Sequence, residues 1–367
     1  MTCNLTSLDK YVFQRKIYAD CIQYTIFNSS MRHKCGTLVS VGGILALLLV
    51  PSVIFALLGE FLLMYVIMFK EKRPIRLVYK AGQAINNISF GIYVCCLMTF
   101  HSKGLSWLGY KPDFLENKSN TNCKAYRFLY GVILTCMANT SFMDMYERAI
   151  TVRFKCYAPI TKSSCILTLS VITISSVILS FPTYVVSNHW IIDGRIICGG
   201  DPGWSQTTVT ILAVHEVAFV CGLVQSIGTL ILVFSMARDL GKMENTIDFL
   251  QTIGLPNQVQ ITTADMARLL RMAQRDCWVS LVYNGIAALI ACFRSICRAN
   301  FYYAILHDFE DNHSPAGAVE VYASDAAEDV TKLMTIVLAG FHYWIHYYHI
   351  PSARLRAIVT RAREAED

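Results

Sequence analysis

Four groups of polar side chains stand in an otherwise apolar sequence with types and spacings suited to chemistry. His342, His346 and His349, in "FHYWIHYYHI", bring three imidazoles together, a donor set of the kind that holds a metal. Glu147 and Arg148 form an acid and base pair, with Asp144 one helical turn earlier. Arg294 and Arg298 are four apart and share a helical face. With His215, Glu216 and Lys332 they could line a polar pocket that orients a small molecule through a few charged contacts. The alternative for both arginines is snorkelling to headgroups or pairing with Asp308, Glu310 and Asp311. Glu60 and the pair Asn86-Asn87 complete the set; an intramembrane carboxylate there is a functional candidate, and a structural hydrogen bond between helices is its alternative.

These groups need a scaffold, and composition says which. Of 367 residues, 54% are hydrophobic and 16% charged, a membrane composition with a mean hydropathy of +0.42. Crossing about 30 Å of hydrocarbon at 1.5 Å per residue takes about twenty residues with few charges. Seven segments qualify, approximately 37–69, 77–100, 126–152, 165–186, 207–236, 277–302 and 330–350. The expected fold is therefore an all-α membrane protein, a seven-transmembrane helix bundle. Residues 1–36 form an extracellular amino-terminal tail, 37–350 the membrane domain, and 351–367 a cytoplasmic tail in which "SARLRAIVTRARE" could form a short amphipathic helix.

Charge near the first span sets the orientation. Arg32 and Lys34 precede it, whereas Lys70, Lys72, Arg73, Arg76 and Lys80 follow, which places the amino terminus outside. The glycosylation pattern N-x-[ST] at Asn4, Asn28, Asn117 and Asn312 then falls outside as well, while Asn87 and Asn139 fit the pattern within spans. The first residues lack the apolar core of a cleaved signal peptide, so the first span serves as the insertion signal. The net charge of +6 is accounted for by basic loops at an anionic leaflet and calls for no nucleic acid.

Cys123 and Arg148 are 25 residues apart, about 37 Å of helix, and mark the two faces of the bilayer. Cys198 lies in the next outer loop, in an oxidising compartment, where a bridge to Cys123 would pin that loop over the bundle; the alternative is a free thiol. Cys3, Cys21 and Cys35 are also outside, so one of the five exterior cysteines stays unpaired.

Seven spans with the amino terminus out, a cysteine opening the third, a second in the following outer loop and Glu-Arg closing the third resemble a G-protein-coupled receptor. The tract "ERAITVRFKCYAP" resembles the same region of nematode serpentine chemoreceptors, without resolving the class. The resemblance implies a plasma-membrane receptor that binds an external small molecule and signals to a heterotrimeric G protein. Arg148 would leave its acid, Glu147 or Asp144, on activation and meet that partner; the alternative is a plain interfacial anchor. The chain departs from rhodopsin-like receptors in having Ala149 after the arginine, Asn86 and Asn87 in the second span, no proline in the sixth and "HYYHIPSARLR" at the exit of the seventh.

Covalent chemistry and cofactors are not expected, because no nucleophile with a base and no phosphate loop is recognisable. The histidine tract resembles one histidine box of a membrane di-iron oxygenase, but such a site needs several boxes on one face. His33, His101, His189, His215, His307 and His313 lie outside or toward the outer half, so an aromatic interface belt is the expected setting for the tract. A multi-span enzyme built on that tract and a transporter motivated by Glu60 and the arginines are the alternatives. In the third inner loop, Thr262 or Thr263 could cap a helix whose Arg268, Arg271 and Arg275 give a basic surface for an acidic partner or for lipid.

Overall fold

The structure, a computed structural model, describes residues 29–69, 78–105, 108, 118–154, 162–192, 195–200, 216–252, 277–301, 303 and 315–347. Seven helices occur among them. They are α1 (Ser29–Phe69), α2 (Val78–Gly104), α3 (Asn120–Phe154), α4 (Lys162–Val186), α5 (Val217–Thr252), α6 (Cys277–Phe301) and α7 (Pro315–Tyr347). A two-stranded antiparallel hairpin, β1 (Ser187–Ile192) and β2 (Arg195–Gly200), joins the end of α4, with Trp190 opposite Ile197.

Five of the helices are long and apolar enough to cross a membrane, over Val41–Phe69, Val78–Gly104, Ile166–Val186, Val217–Gly241 and Cys277–Phe301. The other two helices expected as spans, α3 and α7, are present but do not reach that apolarity over their described residues. Both are long, but α3 carries Lys124, Arg127, Asp144, Glu147 and Arg148, and α7 carries Asp325, Glu328, Asp329 and Lys332. α1 also begins at Ser29, inside the segment read as tail, and α5 begins at Val217, ten residues later than the segment expected from 207.

Local signals explain several boundaries. Ser119 accepts a hydrogen bond from the Asn122 amide at 3.0 Å and so caps α3. Glu216 offers its carbonyl to the amides of Phe219 and Val220 at the start of α5. α7 opens on Pro315, whose missing amide costs nothing in the first turn. α2 changes its winding at Phe90: from there to Gly104 its bonding is that of a π-helix, and the Thr99 hydroxyl donates to the carbonyl of Val94.

Side-chain placement is the reverse of a water-soluble domain. Phe61, Leu167, Ile178, Ile231 and Phe234 are exposed on the outer surfaces of their helices, whereas Glu60, Lys80, Arg127, Asp144, Arg294 and Lys332 are buried. A surface of that kind suits hydrocarbon, and helices satisfy their own backbone groups there. Between them packs a central core of Leu49, Val53, Phe90, Leu134, Phe219 and Ile336, with Met145, Val233, Met236 and Leu281 forming a second cluster toward the Arg148 end. The backbones of α1 and α7 touch at glycine: a Cβ on Gly59 would stand 2.7 Å from the Gly340 carbonyl oxygen. Without a hydrophobic drive between helices in lipid, close approach at small residues supplies the packing.

Candidate functional site: two polar networks and a cavity between them

At the end of the bundle marked by Cys123, the cysteine is bonded to Cys198, with 5.4 Å between their Cα atoms. The bridge ties β2 to the start of α3. Beneath it, charged side chains from four helices and from Glu216, just before α5, interlock. Arg298 of α6 pairs with Glu216 at 2.8 Å and with Glu328 of α7 at 3.2 Å. Lys332 reaches Asp329 at 2.8 Å and Glu328 at 3.4 Å. Lys103, at the π-wound end of α2, reaches Asp325 and Asp329. Arg127 of α3 stands 3.7 Å from Glu216, and the Tyr130 hydroxyl donates to Glu328 at 3.0 Å. Buried acids are tolerable only when paired in this way.

Glu216, Arg298 and Lys332, grouped from the sequence as a pocket, therefore do come together. Arg294 differs from them: its Nε donates to Thr331 at 3.2 Å, its Nη2 donates to Thr335, and its guanidinium lies over the Phe90 ring at 4.9 Å. His215 lies outside the described residues, as do Asn4, Asn28, Asn117, Asn312, His349, the 351–367 tail and the loop around Arg268, so the structure says nothing of those readings.

The opposite end holds a second network. Arg148 donates through Nε to Asp144 Oδ1 at 3.0 Å, so Asp144 is an acid that holds it. Asp144 Oδ2 accepts from Asn284 of α6 at 2.8 Å, and Asn284 in turn accepts from Gln83 of α2 at 2.8 Å. One chain of hydrogen bonds thus links α3, α6 and α2. Glu147, the other acid named from the sequence, sits on the same turn of α3.

Nearby, Glu60 of α1 accepts from Asn87 at 2.5 Å and faces His342 Nδ1 at 2.9 Å, while Asn87 also donates to the Tyr283 hydroxyl at 2.9 Å. Asn86 donates to Thr140 at 3.1 Å. His342 is fully buried and His346 is 2% exposed, both against the Tyr283 ring. That corrects the interface-belt reading for His342 and His346: the carboxylate of Glu60 draws His342 inward, where it closes α7 onto α1. No group of three or more His, Cys, Asp or Glu placed to hold a metal occurs among the described residues.

Several partners were not singled out in the sequence, namely Lys103, Arg127, Tyr130, Asp325, Glu328, Asp329, Gln83, Tyr283 and Asn284. Glu328, Asp329 and Lys332 did carry a signal, since spacings of three and four residues place them on one helical face.

Between the networks lies a cavity of about 70 Å³. Asn86, Asn87 and Tyr283 line it on the side of Arg148, and Arg294 and Thr335 on the side of the disulfide; its flanks include Leu134, Met137 and Phe219. One helix set therefore carries a cross-linked charged mouth, a mostly apolar hollow and an ion pair at the far end. No protein-family model matches the chain, and no curated protein matches its sequence.

Proposed function

We propose that the chain is a seven-helix receptor of the G-protein-coupled kind. In this reading it sits in the plasma membrane with its amino terminus outside, binds a small external molecule and signals to a cytoplasmic heterotrimeric G protein. The observation that carries the reading is the hydrogen-bonded path that joins the cavity to Arg148. Asn284 is next to the cavity residue Tyr283 on α6 and bonded to the cavity residue Gln83, and it also holds Asp144, the acid paired with Arg148. A molecule that shifts α6 against α3 from within the cavity disturbs the Asn284 to Asp144 bond and with it the hold on Arg148. The resemblance of "ERAITVRFKCYAP" to the chemoreceptor tract supports the same role.

Chemosensing is the function proposed, with no covalent step. The test is nucleotide exchange by a G protein co-reconstituted with the purified chain in lipid. Exchange that rises with the chain present, and falls back when Arg148 is replaced by alanine, is the expected result; no rise with any Gα subtype would refute the reading. The buried Glu60 and His342 pair favours a second reading, a proton-coupled transporter, because such pairs carry protons in pumps. Proton uptake into chain-containing vesicles under a solute gradient would establish that instead.

A further inference from the structure

Arg294 lies seven residues before the end of α6 at Phe301, about 10 Å of helix into the bundle, and is only 5% exposed. Its contacts are two threonine hydroxyls and the face of Phe90, and it forms no ion pair among the described residues. The acids nearby are committed to other bases: Glu328 to Arg298 and Lys332, Glu216 to Arg298, Asp325 and Asp329 to Lys103, and Asp329 also to Lys332. Among the described residues Arg294 is thus a buried base with no carboxylate at ion-pair distance.

A guanidinium desolvated without an anion is costly, and it is retained where an anion arrives from elsewhere. This one lines the cavity. With a volume of about 70 Å³, the hollow suits a small molecule and not a large one. Its flanks are Leu134, Met137, Phe219 and Leu338. A single buried guanidinium above apolar walls fits a monoanion with a hydrocarbon tail better than a dianion or a polar zwitterion.

We propose that this cavity binds a short aliphatic monocarboxylate of about butanoate size, with the carboxylate on Arg294 and the hydrocarbon against Leu134, Met137, Phe219 and Leu338. Guanidinium and carboxylate match in planar, two-bond geometry, and each such bond is charge-assisted. The inference names the ligand class for the proposed receptor, and it is tested by binding alone so that its failure is separable from failure of the G-protein reading.

Gly222 provides a second handle. It is buried, lines the cavity, and a Cβ built on it meets nothing within 4 Å, so a larger side chain there enters the hollow without displacing a neighbour. The experiment measures butanoate and butanamide binding by calorimetry to the full chain in lipid nanodiscs, for wild type, Arg294→Gln, Arg294→Lys and Gly222→Leu, with a thermal melt of each. Wild type is expected to bind butanoate at least tenfold more tightly than butanamide. Arg294→Gln erases that preference, Arg294→Lys keeps most of it, and Gly222→Leu loses both ligands while melting normally. Equal butanoate affinity in wild type and Arg294→Gln overturns the proposal, as does a wild-type chain that binds no carboxylate of three to six carbons. Should Arg294→Gln fail to fold, the Gly222→Leu result decides: butanoate bound undiminished there places it outside the cavity. Butanoate binding without any nucleotide exchange would sustain the ligand assignment and remove the receptor.

Discussion

Arg148 is held by Asp144 through a 3.0 Å bond from Nε, on a carboxylate whose other oxygen is taken by Asn284 at 2.8 Å. The arginine's position is thus set by α3 and α6 jointly. Any motion that parts these helices weakens the acid's fixed orientation before it touches the arginine.

Replacing Asp144 with asparagine should therefore raise ligand-independent signalling. A hydrogen bond to a charged group contributes about 1.5–3 kcal/mol, so its loss from the resting state alone shifts the population toward the active form by roughly ten- to hundredfold. Basal second-messenger output at matched surface level measures this. Output equal to wild type would mean that Asp144 does not restrain the resting form.

Cys123→Ser and Cys198→Ser should impair surface delivery to a similar degree, and the double variant should be no worse than either. The two thiols form one covalent constraint between α3 and β2, so their losses do not add. Surface labelling of intact cells checks it, and clearly additive losses would indicate two separate roles.

Much of this arrangement was legible in the sequence, and the rest was hidden for a definable reason. A hydropathy scan finds helices by what faces lipid, so α1, α4 and α5 stand out most; α3 and α7 are found as well, but their polar residues, spent on the interior, blur where they begin. Hydropathy begins the last span at Val330 and places Glu328 and Asp329 before it, so hydropathy alone does not reveal the acids that neutralise Arg298 and Lys332. Glu60 with Asn87 was readable because equal depth on an antiparallel pair follows from counting residues. The pairing of His342 with Glu60 needed α7 beside α1, and Lys103 needed the wider winding of α2 from Phe90; neither neighbour relation nor winding is written in spacing.

The charged mouth predicts a coupled pair. Removing Arg298 or Glu328 takes one charge-assisted bond from the other, which keeps Glu216 or Lys332 as its remaining ion-pair partner, at a cost of about 1.5–3 kcal/mol. Arg298→Met and Glu328→Gln should each lower the melting temperature of the purified chain, and the double variant should recover part of the loss. A double variant as unstable as the sum of the singles would show that the two side chains are not coupled.

Glu60→Gln should weaken the contact between α1 and α7 by about 1–3 kcal/mol, because His342 and Asn87 lose a carboxylate inside the bundle. Thermal unfolding in nanodiscs reads this out, and an unchanged melt would leave Glu60 without a structural role.

Orientation is open to direct assay. Glycosidase should shift the expressed chain, and replacing Asn4, Asn28, Asn117 and Asn312 together should abolish the shift, while a sequon introduced after Gly241 stays bare. Sugar on that introduced site would reverse the topology.

The most direct measurement of the central claim is the rate of nucleotide exchange on a panel of purified Gα subtypes with their βγ partner. They are mixed with the full chain in nanodiscs, as wild type, Asp144→Asn and Arg148→Ala. The account predicts that at least one subtype exchanges faster with Asp144→Asn than with wild type, and that Arg148→Ala falls to the rate of empty nanodiscs. Rates indistinguishable among the three chains and empty nanodiscs across the whole panel would contradict it.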